Sequence, residues 1–168
     1  SLLIAGIQER MTNPSGGSSF TAFGIKAEAQ SIAPGLHVVA TPIGNLGDIT
    51  FRALGTLAAA KAVLAEDTRV SRRLLAHYGI TTPMIAYHEH NAAEMRPKIL
   101  ARLAAGEALA LISDAGTPLV SDPGYKLVEA AIEEGFHVTS LPARQRFLRR
   151  LLFRDCRQTA SFSKAFCR

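Results

Sequence analysis

Four short clusters hold most of the side chains in this chain that can do chemistry. The longest is Ser113–Gly124, which reads Ser-Asp-Ala-Gly-Thr-Pro-Leu-Val-Ser-Asp-Pro-Gly. Gly116 and Gly124 permit positive φ and close approach of a ligand to the backbone, and Asp114 and Asp122 can accept hydrogen bonds. A plain strand-to-helix connection is usually shorter and poorer in such residues. The second cluster, Thr41-Pro42-Ile43-Gly44-Asn45-Leu46-Gly47-Asp48, is neither a dinucleotide fingerprint nor a P-loop. Gly44 and Gly47 still permit a tight turn, and Asp48 or Thr50 would cap the helix that follows. The third, Glu66-Asp67-Thr68-Arg69 followed by Arg72-Arg73, offers carboxylates and guanidiniums to a polar substrate. Equally, Asp67 or Thr68 caps a helix while the arginines are solvated. The fourth, His88-Glu89-His90-Asn91, invites a metal reading. A histidine pair without a His-Glu-x-x-His motif or a nearby cysteine fits a polar loop better, so no metal is expected.

The elements that must position these clusters follow from periodicity. Apolar runs predict strands at Leu36–Ala40, Ala62–Ala65, Met84–Tyr87, Ala108–Ile112 and His137–Leu141. Helical spacing predicts helices at Thr50–Ala60, Val70–His77, Ala92–Ala105 and Tyr125–Glu134, with Gly135 as a C-terminal stop. Repeated strand-then-helix units imply an α/β fold, a mainly parallel sheet of five strands with helices on both faces. Each cluster follows a strand, so all four should gather at one sheet edge and form a polar cleft.

Charge is unevenly spread. The chain carries +5 overall with a pI near 9.6, which taken alone implies a nucleic-acid partner. Eight of the 19 Lys+Arg but one of the 14 acidic residues lie in Arg144–Arg168, so this tail is +7 and Ser1–Ala143 is −2. Both cysteines, Cys156 and Cys167, are in the tail too, so the body suits a reducing, cytoplasmic setting. No apolar run approaches a membrane span. Three zones result: a flexible Gly/Ser-rich extension over 1–35, an α/β domain over 36–142, and a basic tail over 143–168. Met11 is a possible start, and Leu2–Ile7 is too short and lacks the preceding basic residue of a signal peptide.

The combination of Val38–Ile49, Ala65–Arg69, Tyr87–Asn91 and Ser113–Gly124 resembles the ribosomal RNA small-subunit methyltransferase I family, within the tetrapyrrole methylase (class III) superfamily. The resemblance covers roughly Leu36 to Pro142. It implies S-adenosylmethionine as methyl donor, 2′-O-methylation of a cytidine ribose in 16S rRNA of the small ribosomal subunit, two α/β domains and a homodimer. By residue match, Pro42, Gly44, Asn45, Gly47, Ser113, Asp114, Ala115, Gly116 and Thr117 would line the donor site. Glu66, Asp67, Thr68, Arg69, His88, Glu89, His90 and Asn91 would face the substrate. The ribose hydroxyl must lose a proton, and His88, Glu66 and Asp114 are the candidate bases.

The family pattern continues with Pro-Gly-Pro-Ser-Ala, a helix and a second α/β domain, whereas this chain reads Pro142-Ala143-Arg144-Gln145. Joining the third base of each codon to the first two of the next permits Gly-Pro-Ser-Ala from Pro142 onward. From Arg154 the same frame permits Gly-Leu-Pro-Thr-Asp-Arg-Phe. The expectation is a frameshift near Pro142–Ala143, a tail that is not a domain, a missing second domain and a weak or inactive chain. Sequencing the gene there tests it. Two other readings remain: a precorrin-type methyltransferase of the same fold, and a non-catalytic α/β module whose basic tail binds nucleic acid.

Overall fold

A computed structural model describes residues 18–42, 45–112 and 122–142. The expected basic tail lies outside the described residues. Five parallel strands form the central sheet: β3 (Gly35–Val39), β4 (Ala62–Ala65), β5 (Met84–Ala86), β6 (Ala108–Ile112) and β7 (Val138–Leu141), in the order β5-β4-β6-β3-β7. The helices are α1 (Phe51–Ala59), α2 (Thr68–His77), α3 (Ala92–Ala104) and α4 (Asp122–Glu133).

The period-two pleat sorts the strand residues onto two faces. Val39, Val63, Ala65, Ala110 and Ile112 pack with Leu54 and Leu57 of α1 and Leu74 and Leu75 of α2. Leu36, Val38, Leu64, Leu109 and Leu111 pack with Ile99 and Leu103 of α3 and Leu127 and Ala131 of α4. Buried on both sides, β4 and β6 read as continuous apolar runs rather than alternating ones, and β3 does so apart from His37, whose ring bonds the Ala33 carbonyl at 2.9 Å. Connections stepping from β3 through β4 to β5 put their helices on one face. Those stepping back through β6 to β7 put theirs on the other, as a uniform crossover hand requires.

Three differences from the sequence reading exceed one residue. Helix α2 starts at Thr68 because Asp67 caps it, its carboxylate accepting the Arg69 N–H at 2.8 Å. Helix α4 starts at Asp122 rather than near Tyr125, since Pro123 in a first turn has no N–H to satisfy. Gly124 is therefore a buried helical residue, not a positive-φ loop glycine.

The third difference is a correction to the flexible extension. Within 1–35, β1 (Ser19–Ala22) and β2 (Ile25–Glu28) form an antiparallel hairpin with Ser19 opposite Glu28 and Ala22 opposite Ile25. Phe20 and Ala22 are buried against α1 and α2, and the Thr21 N–H donates to the Tyr78 carbonyl at 2.7 Å. Its two-residue turn has positive φ at Phe23 (53°) and Gly24 (76°). That left-handed geometry costs a bulky residue such as Phe about 1 kcal/mol. At the other end of the zone Gly35, at φ 135°, lies so close to the His137 carbonyl that any Cβ would collide with it.

Candidate functional site at the carboxyl edge

The register makes the strand ends level. Val39 stands opposite both Ile112 and Leu141, while Ala65 stands opposite both Ile112 and Ala86. The last residues of the five strands, Ala86, Ala65, Ile112, Val39 and Leu141, therefore stand in one row of roughly 19 Å. The helix that follows β6, α4, packs on one face, while α1 and α2, which follow its neighbours β3 and β4, pack on the other. The carboxyl edge at such a switch of faces is the usual ligand position in an open α/β sheet.

After β3 the chain passes Thr41 and Pro42 and then closes a 3-10 turn at Leu46–Asp48. Asn45 Oδ1 accepts the Gly47 N–H at 3.1 Å, and Thr50 Oγ1 accepts the Ala53 N–H at 3.1 Å, capping α1. The capping choice between Asp48 and Thr50 thus falls to Thr50. Tyr78, at the end of α2, donates its hydroxyl to the Leu46 carbonyl at 2.7 Å and fixes the turn to the neighbouring helix. Burial raises the Tyr78 phenol above its ordinary value. Between the turn and α2 lies a cavity of about 260 Å³, lined by Thr41, Pro42, Leu46, Val70, Ser71, Arg73 and Leu74. Arg73 thus reaches a concave surface at the edge, while Arg72 lines a shallower groove beside Thr82 and Met84.

After β4, Glu66 is exposed, Thr68 is half-buried in the first turn of α2, and Asp67 pairs with Arg69. The Asp67 carboxylate takes the Arg69 side chain at 3.1 Å in addition to its backbone N–H, and this holds its pKa below the ordinary 3.8. Two of the substrate-side residues proposed from sequence therefore satisfy one another.

After β5 the loop is anchored by side chains. Asn91 Oδ1 accepts the His88 N–H at 2.9 Å, and Asn91 Nδ2 donates to the Ala86 carbonyl at 2.9 Å. Buried Tyr87 donates its hydroxyl to the Pro123 carbonyl at 3.1 Å, joining this loop to the first turn of α4. Glu89 and His90 are exposed, and the rings of His88 and His90 meet edge to face, centroids 5.9 Å apart. His88 Nδ1 is buried and has no hydrogen-bond partner among the described residues. Sequence reasoning passed over Tyr87 as a tether because an isolated Tyr in an apolar strand reads as core. Its hydroxyl needs a buried acceptor, which was the available signal.

The structure thus brings Pro42, Asn45, Gly47, Glu66, Asp67, Thr68, Arg69, His88, Glu89, His90 and Asn91 to one edge. Gly44, Ser113, Asp114, Ala115, Gly116 and Thr117 lie outside the described residues. No helix among the described residues is long and apolar enough to cross a membrane.

Comparison with known proteins places this architecture. Residues 35–143 match the family model of tetrapyrrole (corrin/porphyrin) methylases. The chain is 62% identical over 114 residues to ribosomal RNA small subunit methyltransferase I of Mesorhizobium japonicum, covering 68% of this chain and 39% of that protein. It is 55% identical over 107 residues to the protein of the same name from Xylella fastidiosa, covering 64% of this chain and 39% of the relative. The chain therefore spans about two-fifths of the length of these relatives. Among solved structures it resembles a putative cobalamin synthesis related protein from Corynebacterium diphtheriae. The TM-score is 0.50 at 16% identity, covering 72% of this chain and 58% of that one, a likeness of fold.

Proposed function

The chain belongs to the tetrapyrrole methylase family, and on that premise we propose that it is the N-terminal domain of an S-adenosylmethionine-dependent methyltransferase acting on small-subunit ribosomal RNA. The target is the 2′-hydroxyl of a cytidine ribose in 16S rRNA, and the whole enzyme works in the cytoplasm as a homodimer. One observation carries this reading. The three described polar clusters, after β3, β4 and β5, lie at one level sheet edge, within a sequence stretch close to proteins named for rRNA methylation.

The edge has the chemistry such a donor needs. The cavity beside the 3-10 turn offers apolar walls at Pro42, Leu46, Val70 and Leu74 for an adenosyl group and polar groups at Thr41, Ser71 and Arg73. Pro42, Gly44, Asn45, Gly47 and the segment Ser113, Asp114, Ala115, Gly116 and Thr117 would hold it. When bound, the donor supplies a methyl group on a sulfonium, which is displaced in line. Holding the ribose oxygen against that methyl supplies much of the rate. The hydroxyl proton goes to a base, for which His88, Glu66 and Asp114 are the candidates. His88 is the first choice, because the Asn91 bonds fix its backbone and its buried Nδ1 has no hydrogen-bond partner among the described residues. Glu66 is exposed and less rigidly placed.

The test uses the protein extended to the length of its relatives, methyl-labelled donor and small subunits lacking the modification. Label should enter 16S rRNA at one alkali-resistant linkage, the signature of a 2′-O-methyl group. His88→Ala should lower turnover by roughly 100- to 10,000-fold. Labelling of a corrinoid but not of subunits would replace this reading with the precorrin-type one. Loss of RNA binding on deleting 144–168 from the present chain would favour the non-catalytic module.

A further inference from the structure

Phe23, Ile25 and Phe51, three strongly exposed large apolar side chains, lie on or against the tip of the β1–β2 hairpin, with Phe23 84% and Phe51 61% accessible. The rings are stepped. Buried Phe20 lies 6.4 Å from Phe51, and Phe51 lies 6.2 Å from Phe23, centroid to centroid, at tilts of 53° and 47°. An aromatic ladder thus rises from the core and ends in two solvent-facing rings. Lys26 follows on β2 and Arg52 on α1. Both are exposed, and among the described residues neither forms an ion pair with a carboxylate. Glu28 is the hairpin's one acidic side chain. Phe51 opens α1 just after the 3-10 turn and the Thr50 cap, so the ladder stands beside the carboxyl edge. The hairpin precedes the stretch that matches the family model.

We propose that this hairpin tip is a stacking platform for unpaired RNA bases, guiding a single-stranded segment toward the carboxyl edge. It rests on the reading of the chain as an RNA methyltransferase domain. Exposed Phe faces take any base by stacking, and flanking cations neutralise the adjoining phosphates. A body of net charge −2 repels a polyanion overall, so cations beside the rings matter. A second copy of the chain fits less well. Stable dimers bury about 800 Å² per partner around an uncharged centre, whereas this patch is three side chains bordered by Lys26 and Arg52.

The experiment measures fluorescence anisotropy of a labelled single-stranded RNA of about 12 nucleotides with the 168-residue chain. Phe23→Ala and Phe51→Ala should each weaken binding roughly tenfold, while Phe23→Tyr and Phe51→Tyr keep it. The pair Lys26→Glu and Arg52→Glu should weaken binding and flatten its salt dependence. Phe23→Leu keeps apolar contact and tests the fold separately by circular dichroism. Retained affinity in Phe23→Leu, unchanged affinity in both alanine variants, or no RNA binding by the parent chain would overturn the stacking role. A change in sedimentation with RNA affinity intact would mark a self-association face instead and overturn it as well. Methyl transfer is not read here, so a failure of the proposed reaction leaves this outcome distinct.

Discussion

The two ends of the same sheet are built on opposite terms. At the amino edge the connections are short, and three of the four carry a glycine with left-handed backbone: Gly79, Gly106 and Gly135. There Gly135 and Phe136 donate their N–H groups to the Ile132 and Ala131 carbonyls at 2.9 Å, closing α4, and polar side chains pair with one another, Arg102 with Glu107 at 2.7 Å and His137 with Thr139 at 2.9 Å. At the carboxyl edge the connections carry carboxylates, imidazoles and amides, some bonded to one another and some, like His88 Nδ1, without a partner among the described residues. The lesson is a division of labour. Backbone geometry at one edge makes the fold, and side chains at the other are left able to act on something else.

Substitutions should separate the two edges. The largest stability effect belongs to Gly35→Ala, which would drive a Cβ into the His137 carbonyl and force β3 and β7 apart. A loss of about 3 kcal/mol in urea unfolding is expected, and a value near zero would break the comparison. Tyr87→Phe should cost about 1 kcal/mol, the net contribution of the hydrogen bond it removes. This is the exception that sharpens the contrast, a structural tether at the carboxyl edge. Gly135→Ala should cost about 1 kcal/mol, from left-handed backbone alone, because the space around it is open. If it costs as much as Gly35→Ala, close packing is not what distinguishes the two positions.

The smallest effect concerns Asp67. Its pKa is lowered in the folded chain by the Arg69 side chain and backbone bonds. The carboxylate's contribution is therefore present above its unfolded pKa and is lost as pH falls through the lower folded value. Asp67→Asn should thus lower Tm slightly at pH 7 and make no difference in strong acid. An equal difference at both pH values would show that the ionised pair with Arg69 contributes nothing.

Much of the fold was legible because the sheet's interior strands leave a plain mark. Ala62–Ala65 and Ala108–Ile112 are apolar throughout, since both faces are covered, and their bounds match the sequence reading. The hairpin was not legible. Its strands are four residues each, and Phe23-Gly24 is a poor type I′ signal beside Asn-Gly. Its order comes from burying Phe20 and Ala22 against helices more than 25 residues away in sequence. The start of α4 was misjudged for a related reason. Asp122-Pro123-Gly124 has turn composition, and the Pro123 carbonyl meets the Tyr87 hydroxyl only in the folded chain.

By itself the sequence determined the order of strands and helices, the faces they bury and the identity of the polar clusters that follow each strand. Those properties depend on periodicity and on residue type, which are local. Tertiary structure alone decided that β6 lies between β3 and β4, that five strand ends stand level, and that Asp67 is engaged while His88 Nδ1 is not. Strand order and register arise from packing between residues far apart in the chain, where the gain of closing a two-sided core outweighs any local preference.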